Sequence, residues 1–213
     1  MLDWIRLPVG LLQANAYIVY DKQGSCLIID PGDEAKKIHQ FIRKKKLQPQ
    51  AILLTHAHFD HIGAVEACRE KYRIPVYLHE QEKKWLSNPH KNGSAQYEGA
   101  APVVVQQADH LFSGEERVTV GAFSFDVLPT PGHSPGSVSF FFQESGFVIV
   151  GDTLFKKGMG RTDLPGGQEH QLIRSIREKL YTLPEDTYVL PGHDDVTTIV
   201  QERDDNPHVN GKT

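Results

Sequence analysis

Ala51-Ile52-Leu53-Leu54-Thr55-His56-Ala57-His58-Phe59-Asp60-His61 reads as a buried strand that runs directly into four metal-competent side chains. The apolar run 51–55 has the length of a strand and no polar face, so the histidine-rich segment begins where that strand ends. In an extended segment residues i and i+2 share a face, which they do not on a helix. On that geometry His56, His58 and Asp60 converge on one point, and His61 breaks the period as a second, adjacent ion would require. Two histidines two apart are unremarkable on a surface. Four polar side chains desolvated beside a buried strand are not, because burial without partners costs on the order of several kcal/mol.

Three further donors stand far downstream, each on a loop marked by Gly or Pro: His133 in Thr130-Pro131-Gly132-His133-Ser134, Asp152 in Val150-Gly151-Asp152-Thr153, and His193 in Leu190-Pro191-Gly192-His193. Each follows a strand-like run, at 123–128, 147–150 and 187–190. A single Pro-Gly-His is ordinarily only a turn, so the weight lies in the set. Loops gathered at one sheet edge are a usual place for a site. Five imidazoles and two carboxylates suit zinc, and also iron or manganese.

The whole chain sets bounds on this reading. Its 213 residues, 39% hydrophobic and 23% charged, are ordinary for a soluble globular protein and supply one substantial core. A net charge of −4 argues against general nucleic-acid binding. The basic run Arg43-Lys44-Lys45-Lys46 closes an amphipathic segment and reads as a solvated helix end complementing the helix dipole. Cys26 and Cys68 form no Cys-x-x-Cys pair, so two buried free thiols in a reducing compartment are expected. No run approaches a membrane span and no leader pattern opens the chain, which gives a cytoplasmic expectation.

Along the chain, strands are expected at 4–9, 16–20 and 26–30, a helix at 34–46, and the strand 51–55. A helix opening at Asp60 or His61 runs to about 72, and a short strand follows at 75–78. Residues 89–102 lack periodicity and read as a long surface loop. Hairpins follow around Gly121 (117–120 with 123–128) and around Glu144-Ser145-Gly146 (137–142 with 147–150). A helix at 169–180, a strand at 187–190 and a last helix near 197–203 complete the pattern. Two β-rich halves with flanking helices predict one domain over 1–213, α/β, built as a four-layered αββα sandwich.

In these motifs, taken in order, the sequence resembles the metallo-β-lactamase superfamily, and within it the glyoxalase II (hydroxyacylglutathione hydrolase) branch, in its short bacterial form. The resemblance covers nearly the whole chain and implies two mixed sheets flanked by helices, with metals at one sheet edge. It implies that His56, His58 and His133 hold one divalent ion and Asp60, His61 and His193 a second, with Asp152 bridging. Zinc is the first choice of ion. Asp152 weighs against a true β-lactamase, which lacks a carboxylate there, and the separate helical glutathione-binding domain of full-length glyoxalase II is not expected.

The activity implied is hydrolysis of a small acyl-thiol such as S-lactoylglutathione by a metal-bridging hydroxide, with Asp60 and Asp152 as the catalytic carboxylates. No nucleic acid or membrane partner is expected. Arg161, in Gly158-Met159-Gly160-Arg161-Thr162-Asp163, is similar to a basic position that contacts substrate in glyoxalase II, although the neighbouring tyrosine is not matched. The same segment is also similar to persulfide dioxygenases, which hold one iron with residues corresponding to His56, His133 and Asp152; that is the alternative reading. His39, His79, His90, His110, His170 and His208 lack motif context and are assigned to the surface or to helices. Asp30 is assigned to a turn near the site, where its carboxylate can orient a ligand histidine.

Overall fold

The computed structural model describes residues 1–210, which cluster into two compact units. The first spans Met1–Ser113 with Val120–Phe123, and the second comprises Gly114–Thr119 and the chain from Ser124 onward.

The first unit is a mixed six-stranded sheet. β1 (Asp3–Val9), β2 (Ala14–Tyr20) and β3 (Ser25–Ile29) form an antiparallel meander; β4 (Gln48–Leu53), β5 (Val76–His79) and β6 (His110–Phe112) continue it in parallel, in the order β1-β2-β3-β4-β5-β6. Parallel strands need long crossovers. α1 (Ala35–Lys45) joins β3 to β4, while α2 (Phe59–Ile62) and α3 (Val65–Tyr72) join β4 to β5. α1 buries Ile38 and Ile42 and carries Arg43, Lys44 and Lys45 in its last turn, the cationic end read from the sequence. Its apolar stripe packs into one core with Ile28, Ile52, Val65 and Leu78.

The second unit is also a mixed sheet of six strands. β7 (Glu116–Val120), β8 (Phe123–Pro129), β9 (Val138–Phe142) and β10 (Phe147–Gly151) precede the small hairpin β11 (Leu154–Phe155) and β12 (Gly158–Met159). α4 (Glu169–Ser175) runs on into a π-helical turn, Ile176–Leu180. β13 (Tyr188–Pro191), β14 (Thr197–Thr198) and α5 (Ile199–Asp205) follow, giving the order β14-β13-β10-β9-β8-β7. β9 and β10 are buried on both faces, which explains their unbroken apolar sequences Val-Ser-Phe-Phe-Phe and Phe-Val-Ile-Val-Gly.

Three expectations are corrected. The helix expected from Asp60 or His61 to 72 breaks after Ile62. There the backbone of the Asp30-Pro31-Gly32 turn lies against α2 so closely that a Cβ on Gly32 would fall 1.6 Å from the Asp60 carbonyl oxygen, and one on Gly63 2.3 Å from the Gly32 carbonyl oxygen. The last helix starts at Ile199, because Thr197 and Thr198 pair with Val189 and Tyr188 as a strand first. His79 is buried at the end of β5, not on the surface, and its Nδ1 accepts the Gln81 N–H.

Cys26 and Cys68 are buried free thiols, and burial pushes each up to about 12. The thiolate is the reactive form. At pH 8 neither is expected to react with iodoacetamide in native protein, and both are expected to react in denaturant; prompt labelling of the native chain, read by mass, would contradict their placement. No helix among the described residues is long and apolar enough to cross a membrane.

Candidate metal centre

Each unit carries its own set of donors at the ends of its strands. In the first unit β4 stops at Leu53, and His58 is the last extended residue before α2. The buried carboxylate of Asp30 organises this loop. Its Oδ1 accepts the Thr55 N–H at 2.8 Å, its Oδ2 accepts the Thr55 hydroxyl at 2.6 Å, and His61 Nδ1 lies 3.1 Å from the same Oδ2. A carboxylate only accepts, so His61 Nδ1 is the protonated nitrogen. Thr55 Oγ1, having given its proton to Asp30, accepts from His56 Nδ1 at 3.0 Å. Both imidazoles therefore carry their lone pair on Nε2, the form a metal ligand needs. Asp30, His56 and His61 offer donor atoms within 4.8 Å of one another.

Asp60 corrects the period-two reading. Residues 59–62 coil into a helical turn, so Asp60 swings beside His61 rather than onto the point shared by His56 and His58. Its Oδ2 stands 3.6 Å from His61 Nε2. Two further residues hold the loop and carried no sequence signal. Glu82, fully buried, accepts the Ala57 N–H at 2.6 Å between the two histidines of His56-Ala57-His58, and the Trp85 ring lies 5.7 Å from that of His58.

In the second unit β10 and β13 run parallel with Gly151 opposite Pro191, and Gly192 N–H donates to Gly151 O at 2.7 Å. The residues that follow, Asp152 and His193, thus leave the sheet side by side. Asp152 Oδ2 is 3.6 Å from His193 Nε2 and also 3.6 Å from His133 Nε2. His133 Nδ1 donates to the Arg161 carbonyl at 2.7 Å, which again puts the lone pair on Nε2. The segment carrying that carbonyl comes close because Gly160 has no side chain: a Cβ there would fall 1.9 Å from the Asp152 carbonyl oxygen.

The donor set fits divalent ions. Three nitrogen–oxygen pairs stand at 3.6 Å, too long for a charge-assisted hydrogen bond. Ligands at about 2.0–2.1 Å from a tetrahedral ion are separated by about 3.3–3.4 Å. Each pair is therefore spaced like one edge of a coordination shell, and the single oxygen Oδ2 of Asp152 sits on two such edges.

Arg161 reaches this set through its carbonyl oxygen. Its guanidinium is 61% exposed and holds Asp163 in a two-point pair at 2.7 and 2.6 Å. The pair raises the arginine and holds the Asp163 carboxyl down at about 2. Lys156 and Lys157 continue from β11, and the Lys157 N–H is taken by the buried Glu202 carboxylate at 2.7 Å.

Comparison with known proteins places this set of loops in a family. The family model for the metallo-beta-lactamase superfamily matches residues 9–193. A probable metallo-hydrolase of Bacillus subtilis, YqgX, is 53% identical over 99% of both chains. The hydroxyacylglutathione hydrolase GloC of Haemophilus influenzae is 36% identical over 97% of this chain and 98% of its own. Among solved structures, the B3 metallo-beta-lactamase BLEG-1 superposes with a TM-score of 0.95 at 47% identity, covering 97% of this chain and 99% of the other. TTHA1623 in a di-iron-bound form gives 0.82 at 39%, covering 95% and 98%.

Proposed function

The chain belongs to the metallo-beta-lactamase superfamily, with its α/β fold of two mixed sheets and helices, and from that premise we propose that it hydrolyses small thioesters, S-lactoylglutathione or a related acyl-thiol first among them. His56, His58 and His133 would hold one ion and Asp60, His61 and His193 the other, with Asp152 serving both. The observation that carries this reading is the position of Asp152 Oδ2, 3.6 Å from the Nε2 atoms of both His133 and His193. Zinc is the ion we propose first, and the di-iron form of a relative at 39% identity makes iron the next.

When bound, two such ions lower the pKa of water to roughly 7 and polarise an acyl carbonyl. The residues do the rest. Asp30, through Thr55 and directly, keeps Nε2 of His56 and His61 out of its own hydrogen bonds and aims both rings; the Arg161 carbonyl does so for His133. Asp60 and Asp152 bring two negative charges against four positive ones, leaving a pocket that favours an electron-rich carbonyl. Asp60 also accepts a hydrogen bond from the attacking water. The thiolate leaves with little proton help, since its pKa is about 8.5, so no further acid is needed. The exposed guanidinium of Arg161 is proposed to meet the outer part of the substrate, in competition with Asp163. A small-molecule substrate and two unoxidised cysteines suit a cytoplasmic enzyme.

The test is elemental analysis on protein purified without a chelating tag, with S-lactoylglutathione hydrolysis measured on the same sample. About two ions per chain together with turnover is the expected result. One iron per chain, no hydrolysis and oxygen uptake with glutathione persulfide would assign a persulfide dioxygenase instead. Because BLEG-1 is 47% identical, a cephalosporin is included; its turnover in place of the thioester would assign β-lactam hydrolysis.

A further inference from the structure

Next to Asp60 the first unit holds a cavity of about 250 Å³. Leu11 and Leu12 from the turn between β1 and β2, Phe59 from α2, and Ala101 and Val103 from the long loop form its walls, and Asp60 itself lies in the lining. Among the described residues, Asp33 is the only other charged residue in the lining, and no basic residue is in it. Leu11, 66% exposed, lies beside Gly99, and Tyr97 lies against Phe59 with ring centroids 5.3 Å apart.

The walls are built in place. Residues 89–102 carry no helix or strand, yet Asn92 is fully buried, and its Nδ2 donates to the carbonyls of Trp85 and Val103 at 3.2 and 2.9 Å. The Asn92 carbonyl accepts the Phe59 N–H at 2.9 Å, and Ser94 Oγ accepts the Val103 N–H at 2.9 Å. One buried asparagine, through its side-chain amide and its main-chain carbonyl, thus ties the loop wall to the first residue of α2, one position before Asp60. An ordered apolar recess beside a reacting centre is a specificity device, because its shape exists before the ligand arrives.

We infer that this cavity receives the acyl group of the substrate and selects small, uncharged acyl chains over charged ones; the inference rests on thioester hydrolysis at the neighbouring Asp60 and deepens it. A carbonyl held at Asp60 directs its acyl chain between Leu11, Leu12 and Phe59. The volume is below the roughly 300–1,000 Å³ of pockets that enclose a drug-sized ligand, so a short chain enters and the thiol carrier stays outside. A carboxylate on that chain would lose water opposite Asp33 and Asp60 with no cation in the lining to replace it.

The test uses the metal-loaded full-length protein and two thioesters of N-acetylcysteamine, S-butanoyl and S-succinyl, which share a neutral carrier. We expect kcat/KM to favour butanoyl by about ten-fold or more, the range that apolar pockets give for small differences in a side chain. Leu11→Lys, at an exposed position, narrows the ratio by raising succinyl turnover. Ala101→Trp, also exposed, fills the recess and lowers butanoyl turnover about ten-fold more than S-acetyl turnover. Thioester hydrolysis with no butanoyl preference, or a preference that neither variant moves, overturns the acyl pocket and leaves the hydrolase standing. Absence of hydrolysis with every thioester overturns the hydrolase and the pocket with it.

Discussion

Asp152→Ala and His133→Ala are expected to abolish most thioester hydrolysis, with kcat/KM falling by about 100- to 1,000-fold, the scale on which removal of one stabilising group in an active site is felt, while circular dichroism and the cooperative melt stay near those of the parent. Asp152 Oδ2 faces two imidazoles at 3.6 Å each. If two ions bind as proposed, its loss would remove the negative charge they share and the group that would hold them at a working separation. His133 loses a donor whose tautomer is set by the Arg161 carbonyl. Both positions are at loop ends beyond β8 and β10, so the sheet should survive either change. Metal content measured on each variant should drop below two ions per chain. Near-normal turnover in either one would defeat the mechanism.

Asp30→Ala should cost the fold as well as the site. The Asp30 carboxylate is buried, takes two hydrogen bonds from Thr55 and one from His61, and its backbone sits at φ 48°, in the left-handed region. Alanine there leaves the Thr55 N–H and the His61 Nδ1–H without their acceptor and keeps the strained backbone, for an expected loss of about 3 kcal/mol or more. Metal-free protein is the right sample, because a change in denaturant midpoint there reports folding alone. Asp30→Asn retains one acceptor oxygen and should fall between the parent and alanine in stability, while still losing metal because its amide cannot orient both Thr55 and His61. An unchanged midpoint in the alanine variant, with two ions still bound, would show that this network positions nothing.

Much of this centre was legible in the chain. His56, His58, His61, His133, His193, Asp60 and Asp152 are recognisable because donor side chains cluster at strand ends, where Gly and Pro mark the turns. The strands were legible for a related reason: both-face burial leaves apolar runs such as 147–150. Period-two geometry misplaced Asp60 because it assumes an extended loop, and nothing in Phe59-Asp60-His61-Ile62 announces that the close approach of Gly32 accompanies a helical turn. β6, β14 and the hairpin β11–β12 escaped notice because they are two or three residues long, too short to show a period. Glu82 escaped because a glutamate in Glu80-Gln81-Glu82 looks solvated, and only folding carries it 25 residues back to the Ala57 N–H.

By itself the sequence determined the donor chemistry, the strands that carry it and the family they belong to, since these depend on residue type and local spacing. Tertiary structure alone decided which ring nitrogen of His56, His61 and His133 keeps its lone pair and which histidine Asp60 stands beside. It also decided that Arg161 serves the ligand set through its carbonyl and that an apolar recess adjoins Asp60. The physical reason is that a tautomer follows from its hydrogen-bond partner, and those partners lie far away in the chain: Asp30 is 31 residues from His61, and Arg161 is 28 from His133.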